Sequence, residues 1–175
     1  MVDYVAGNDA TDDDLRASVS GSMVTCGDGN DVLRGGKTAD ILIGGAGEDK
    51  LWGGAGGDQF RFFGDQIGSL TDPTDVDAIY DLNFADGDLL VFGKYNGLFG
   101  TDAAGLNGFA AGDSAIISSF AGLAAACEAS GGRITFTGNV GADLLMISFD
   151  NGAGCTQTIR ISQGYNAFVS ELSPV

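Results

Sequence analysis

Four aspartates recur at nine-residue intervals, Asp31, Asp40, Asp49 and Asp58. Glycine-rich runs precede them, and each is followed two residues later by a large apolar side chain: Leu33, Leu42, Leu51 and Phe60. Carboxylates and the carbonyls that glycine turns expose are hard oxygen donors, suited to Ca²⁺ or Mg²⁺. Softer chemistry has little to work with. The three cysteines, Cys26, Cys127 and Cys155, are too far apart in sequence to suggest a structural zinc site. Histidine is absent, so no Ser-His-Asp or Cys-His nucleophile and no H-E-x-x-H zinc site can be assembled. A carboxylate pair acting as acid and base is the remaining hydrolytic option. Asp75 and Asp77 alternate along a strand-like stretch and do not suggest a cleft, so the chain reads as non-enzymatic.

The residues that position these donors form an internal repeat. Residues 26–61 divide into CGDGNDVLR, GGKTADILI, GGAGEDKLW and GGAGGDQFR. The frame extends back over residues 8–25 as NDATDDDLR, which keeps Asp13 and Leu15, and ASVSGSMVT, which keeps Val24 but has Ser22 for the aspartate. Four turns are regular and two degraded. Glycine supplies the left-handed backbone of a tight turn, and a three-residue strand then points its single large apolar residue inward. Such a coil has little core of its own, so its stability must come from elsewhere.

The pattern resembles the G-G-x-G-x-D-x-U-x nonapeptide of the RTX family of secreted bacterial proteins. The resemblance implies a right-handed parallel β-roll in which two nonapeptides complete a coil and Ca²⁺ ions sit between turns two repeats apart. It implies that the earlier turn supplies carbonyls at positions two and four and its aspartate, and the later turn carbonyls at positions one and three and its aspartate. One site then comprises Gly27, Gly29 and Asp31 with Gly44, Ala46 and Asp49. The opposite edge comprises Gly36, Thr38 and Asp40 with Gly53, Ala55 and Asp58, where Thr38 in place of glycine alters the turn. A weaker site joins Asp9, Thr11 and Asp13 to Cys26, Asp28 and Asp31. At the far end, Gly54, Gly56 and Asp58 share an ion with Asp81 and Asp88. A further set built on Ser18, Ser20 and Ser22 lacks a carboxylate.

Residues 62–175 differ in character. An alternating strand is expected over Asp75–Phe84, a turn over Ala85–Asp88 and a strand from Leu89 to Phe92. A helix capped by Asp113 or Ser114 should run to about Ser130 on an apolar face of Ile116, Phe120, Leu123, Ala124 and Cys127. Strands follow at Ile134–Thr137, Leu144–Phe149, Thr156–Ser162 and Ala167–Leu172. The Phe60-Arg-Phe62 segment followed by Asp77-x-Ile79-x-Asp81 and Gly87-Asp88 resembles the cap of serralysin-type protease tails and alginate epimerase R-modules. The expected architecture is mainly all-β: a β-roll over residues 1–61 and a β-sandwich-like cap with one short helix over residues 62–175, packed as one unit.

With 24 acidic and 8 basic residues the net charge is −16. That excess repels itself in a compact state, and a cation bound only by the folded form relieves it. It also argues against a nucleic-acid partner. No signal peptide or membrane-spanning apolar segment is visible. The family resemblance implies a calcium-folded module exported by type I secretion, disordered in the cytosol and folded outside, with the end at Ala167–Val175 as an export signal. An alternative is an adhesive or polysaccharide-binding module using Trp52, Tyr80, Tyr95 and Tyr165. Cys127 is either a core thiol or bridged to Cys155, and Cys26 is expected to be free.

Overall fold

A computed structural model of the chain describes residues 3–7, 10–18, 20–62, 76–92, 115–132, 134–150 and 156–172. One strand, β1 (Asp3–Ala6), precedes the repeat frame, and each nonapeptide then contributes a turn and a strand: β2 (Asp14–Arg16), β3 (Ser22–Asp28), β4 (Val32–Arg34), β5 (Ile41–Ala46), β6 (Lys50–Trp52) and β7 (Gln59–Phe62). Odd strands stack in parallel on one side and even strands on the other. The registers Leu33↔Leu51 and Leu42↔Phe60 put the apolar position of each repeat into one column per sheet. Leu33, Leu42, Leu51 and Phe60 are each at most 1% exposed, so these columns fill the roll interior.

The parallel ladder continues past residue 61. Strand β8 (Val76–Ile79) pairs with β6, placing Ile79 beside Leu51, and β9 (Leu89–Phe92) pairs with β7, placing Leu90 beside Phe60. Asp77-Ala-Ile79 and Asp88-Leu-Leu90 thus act as two more aspartate–apolar triplets, separated by a one-turn 3₁₀ helix (Phe84–Asp86). The cap then extends both sheets: β10 (Ala115–Ile117) pairs antiparallel with β9, while β13 (Thr156–Ser162) pairs parallel with β8 and is followed outward by β12 (Leu144–Asp150) and β11 (Ile134–Asn139) in antiparallel order. One hydrophobic cluster runs from Val24 to Phe168, so roll and cap share a core.

Three expectations need correction. The strand expected over Asp75–Phe84 is only Val76–Ile79, because residues after Tyr80 turn to hydrogen-bond the roll. The helix does not begin at Asp113 or Ser114: Ala115–Ile117 is strand β10, and helix α1 covers Phe120–Ala129 with the Ser119 side chain accepting from the Gly122 N–H. Ile116, 67% exposed, therefore lies off the helix's apolar face, whereas Phe120, Leu123 and Cys127 are buried on it. The segment expected as a last strand is helix α2 (Tyr165–Leu172), which makes two α-helices among the described residues of the cap. Within α2 Phe168 alone is buried, and the Glu171 carboxylate accepts from the Phe120 and Ala121 N–H groups at the start of α1.

Candidate metal sites in the turns of the roll

The repeating aspartate does two jobs in each turn. Its Oδ1 reaches back one coil to accept the backbone N–H of the residue at the same position there. The rungs are Asp13 N–H to Asp31 (2.8 Å), Asp31 N–H to Asp49 (2.9 Å) and Asp49 N–H to Asp77 (3.0 Å) on one edge. On the other they are Ser22 N–H to Asp40 (2.6 Å), Asp40 N–H to Asp58 (2.8 Å) and Asp58 N–H to Asp88 (2.9 Å). These aspartates are buried, and charge-assisted bonds to backbone N–H groups are among the stronger ones a protein makes.

The second oxygen is the chemical clue. Oδ2 of Asp31, Asp49 and Asp58 is buried and has no hydrogen-bond partner. A methyl carbon placed on Gly44 would lie 2.1 Å from Asp49 Oδ2, and one on Gly53 would lie 2.5 Å from Asp58 Oδ2. Each free oxygen therefore points into the hollow of its own turn. Carbonyls approach from the coil before: Gly27 O faces Gly45 and Gly29 O faces Gly47, at 1.8 and 2.1 Å from the corresponding hypothetical Cβ atoms. Gly45 and Gly47 adopt φ of 122° and 125°, a conformation and a clearance that only glycine meets. A buried anionic oxygen with no donor, in a turn stacked on inward-facing carbonyls, suits a cation. The donor set is all oxygen and fits Ca²⁺, which would supply the positive charge that these groups lack. Among the described residues no three His, Cys, Asp or Glu side chains converge, as expected when backbone carbonyls carry much of the coordination.

Electrostatics agree with this reading. Burial pushes the Asp49 carboxyl up to about 7 and Asp58 up to about 6, against the pull of the backbone N–H rung; the carboxylates of Asp88, Asp40 and Asp81 raise Asp58 further. Burial also raises Asp31 and Asp88.

The structure brings the expected residues together unequally. Gly27, Gly29 and Asp31 stack under Gly44, Ala46 and Asp49, with Gly27 paired to Gly45 and Asp28 to Ala46. Gly36, Thr38 and Asp40 lie one coil before Gly53, Ala55 and Asp58, but that earlier turn is reshaped. Gly27/Gly29, Gly45/Gly47 and Gly54/Gly56 all have positive φ, whereas Gly36 and Thr38 do not. The Gly36 N–H instead donates to Asp40 Oδ2 (2.7 Å), and Thr38 Oγ1 is buried without a partner. Ser22 imitates this closure, its hydroxyl accepting from the Ser18 N–H (3.1 Å). Thr11 O faces Gly29 as Gly29 O faces Gly47, while Asp9 lies outside the described residues.

At the cap end, Asp88 Oδ1 accepts from Asp58 and Oδ2 from the Asn83 N–H (2.7 Å). Asp81 spends its carboxylate on the Gly53 and Gly54 N–H groups (2.8 and 3.0 Å). The rung residue on the other edge is Asp77, which the sequence reading did not place there. Its signal was present: an aspartate two residues before an apolar side chain, as in every repeat, but without the preceding glycines.

Of the cysteines, Cys26 and Cys127 are free and buried. Burial holds the Cys26 thiol far above its usual range, helped by the carboxylates of Asp31, Asp49 and Asp13. Burial alone lifts Cys127 to about 11, as befits a core thiol, and Cys155 lies outside the described residues. No helix among the described residues is long and apolar enough to cross a membrane.

Comparison with known proteins follows this geometry. Residues 27–60 match the RTX calcium-binding nonapeptide repeat in four copies. No curated protein matches the sequence. The AlgE6R2 subunit of the Azotobacter vinelandii mannuronan C5-epimerase is similar in structure, with 22% identity and a TM-score of 0.58 over 100% of this chain and 96% of that one. The AlgE6R3 subunit of the same organism's epimerase gives 18% identity and a TM-score of 0.48 over 97% and 84%. At such identity the AlgE6R2 likeness is one of fold. Residues 27–60 are thus RTX nonapeptide repeats, which bind calcium ions, set in a parallel β-roll of the kind seen in AlgE6R2.

Proposed function

We propose that the chain is a non-catalytic module that calcium folds, part of a type I secreted bacterial protein, serving the folding, stability and export of itself or of an attached passenger. The observation that carries this reading is the set of buried, partnerless Oδ2 atoms at Asp31, Asp49 and Asp58. Without a cation these groups repel and stay desolvated, so the chain opens; with one, the turns close and the aspartate rungs register the coils. The sites are those of the repeat frame: Gly27, Gly29, Asp31, Gly44, Ala46 and Asp49 on one edge, and Gly36, Thr38, Asp40, Gly53, Ala55 and Asp58 on the other. Extracellular calcium modules respond at roughly 10⁻⁴–10⁻³ M, which separates the cytosol from the outside. Circular dichroism during a calcium titration tests this. Strand signal should grow with a midpoint in that range and not with magnesium; equal response to both ions, or none, sinks it.

One surface supports a second reading, as a polysaccharide-binding module. Trp52 and Tyr80 stack at 4.2 Å with rings 6° apart, and Arg34 and Arg160 lie over them at 5.1 and 5.7 Å. This half-buried stripe gathers basic and aromatic groups on an acidic chain; its ring faces are covered by one another and by the two arginines, so an anionic sugar would meet the guanidinium groups and the ring edges. Tyr165 instead packs against the core, and Tyr95 lies outside the described residues. Trp52 is the sole tryptophan, so its fluorescence reports the stripe directly. A saturable change on adding alginate in calcium supports this reading; a flat titration removes it.

A further inference from the structure

The first regular repeat differs from the others at position one. Gly35, Gly44 and Gly53 occupy it elsewhere, whereas here it is Cys26. The hypothetical Cβ atoms on Gly44 and Gly53 show where a side chain at this position points: at the Oδ2 of its own turn's aspartate. Cys26 has such a side chain. It is 3% exposed and couples to the carboxylate of Asp31, which is 1% exposed and whose Oδ2 has no hydrogen-bond partner. Gly7 stacks on the other side. A Cβ there would lie 2.6 Å from Asp13 Oδ2 and 3.2 Å from the Cys26 carbonyl oxygen, so these two oxygens crowd the same point. The Cys26 side chain and the Asp31 carboxylate therefore meet at position one of this turn.

We propose that this turn takes a thiophilic divalent cation through Cys26 Sγ and Asp31 Oδ2, in place of the calcium ion that Asp31 would otherwise help to hold, a mixed sulfur–oxygen version of the all-oxygen turns. On binding, the S–H bond breaks, the metal–sulfur bond forms and one proton leaves to solvent. Remaining positions are filled by carbonyl oxygen and water, since no three acidic or thiol side chains converge among the described residues. The site assumes the turn geometry of the calcium-folded roll, and calcium-driven folding is measured separately by circular dichroism.

The test uses the full chain folded in excess calcium and titrated with cadmium, read by the ultraviolet thiolate-to-cadmium charge-transfer absorbance. One equivalent should saturate the band with release of one proton. Cys26→Gly restores the repeat's own residue, so it should still fold in calcium, lose the band and bind cadmium at least about tenfold more weakly. Cys127→Ser should leave the band intact. Absence of a band in the unmodified chain, or a band undiminished in Cys26→Gly, overturns the proposal.

Discussion

Asp49→Asn should reverse sign with calcium: more stable than the parent chain in chelator, less stable in saturating calcium. In the metal-free fold the buried Asp49 carboxyl is pushed up to about 7 from its usual 3.8. A folded-state value above the unfolded one means that this group's contribution is fully present below about pH 4 and is lost as pH rises through 7. Above pH 7 the ionised carboxylate, its Oδ2 without a partner, opposes the metal-free fold by about 4 kcal/mol. Asparagine keeps the Oδ1 acceptor for the Asp31 N–H and removes the charge, so in chelator its stability should be nearly flat across this range. The parent chain in chelator should instead gain structure on acidification from pH 8 to pH 5. In calcium the order inverts, because the charge is what the cation needs; a calcium midpoint roughly 10- to 100-fold higher is expected for the variant. Strand content by circular dichroism at pH 8 in chelator, and denaturation at pH 8 in calcium, are the measurements. The same direction of change in both conditions would show that Asp49 is structural and holds no metal.

Gly45→Ala should destabilise the calcium-loaded roll by about 4 kcal/mol, from a left-handed φ of 122° and a Cβ forced to 1.8 Å from the Gly27 carbonyl oxygen. Backbone lies on the other side of that contact, so no side chain can step aside. For a chain of this length the loss corresponds to a thermal midpoint lower by roughly 8–16 °C. Gly131→Ala is the control. It also has positive φ, 66°, but nothing stands within 4 Å of its added methyl, so only the conformational cost of about 1–2 kcal/mol applies. Equal losses for the two variants would show that strain, and not the close stacking of coils, governs the turns.

The roll was legible in the sequence because its determinants are local. A turn needs glycine at two positions, a rung needs an aspartate, and a column needs one apolar residue, all within nine letters. Thr38 stood out for the same reason: among the four regular repeats its turn lacks the left-handed pair that the other three have. Asp77 was not placed on the edge because the rung requires only the aspartate–apolar triplet, while the frame had been read through its glycines. In the cap the decisive contacts are distant. Whether Ala167–Leu172 is strand or helix depends on Glu171 reaching the first turn of α1, 50 residues earlier, and on Phe168 packing edge-on to Phe120. Short apolar patterns carry no record of such partners.

The rungs all run the same way along the chain. Each backbone donor is answered by a carboxylate from the coil that follows, and the last answers come from Asp77 and Asp88. The stack is therefore polar, like a filament with two unlike ends. Its cap-side end is a fixed seed against which each upstream coil registers in turn, and lengthening the roll on the N-terminal side repeats a step already encoded, whereas removing the seed leaves Asp49 and Asp58 with nothing to align on.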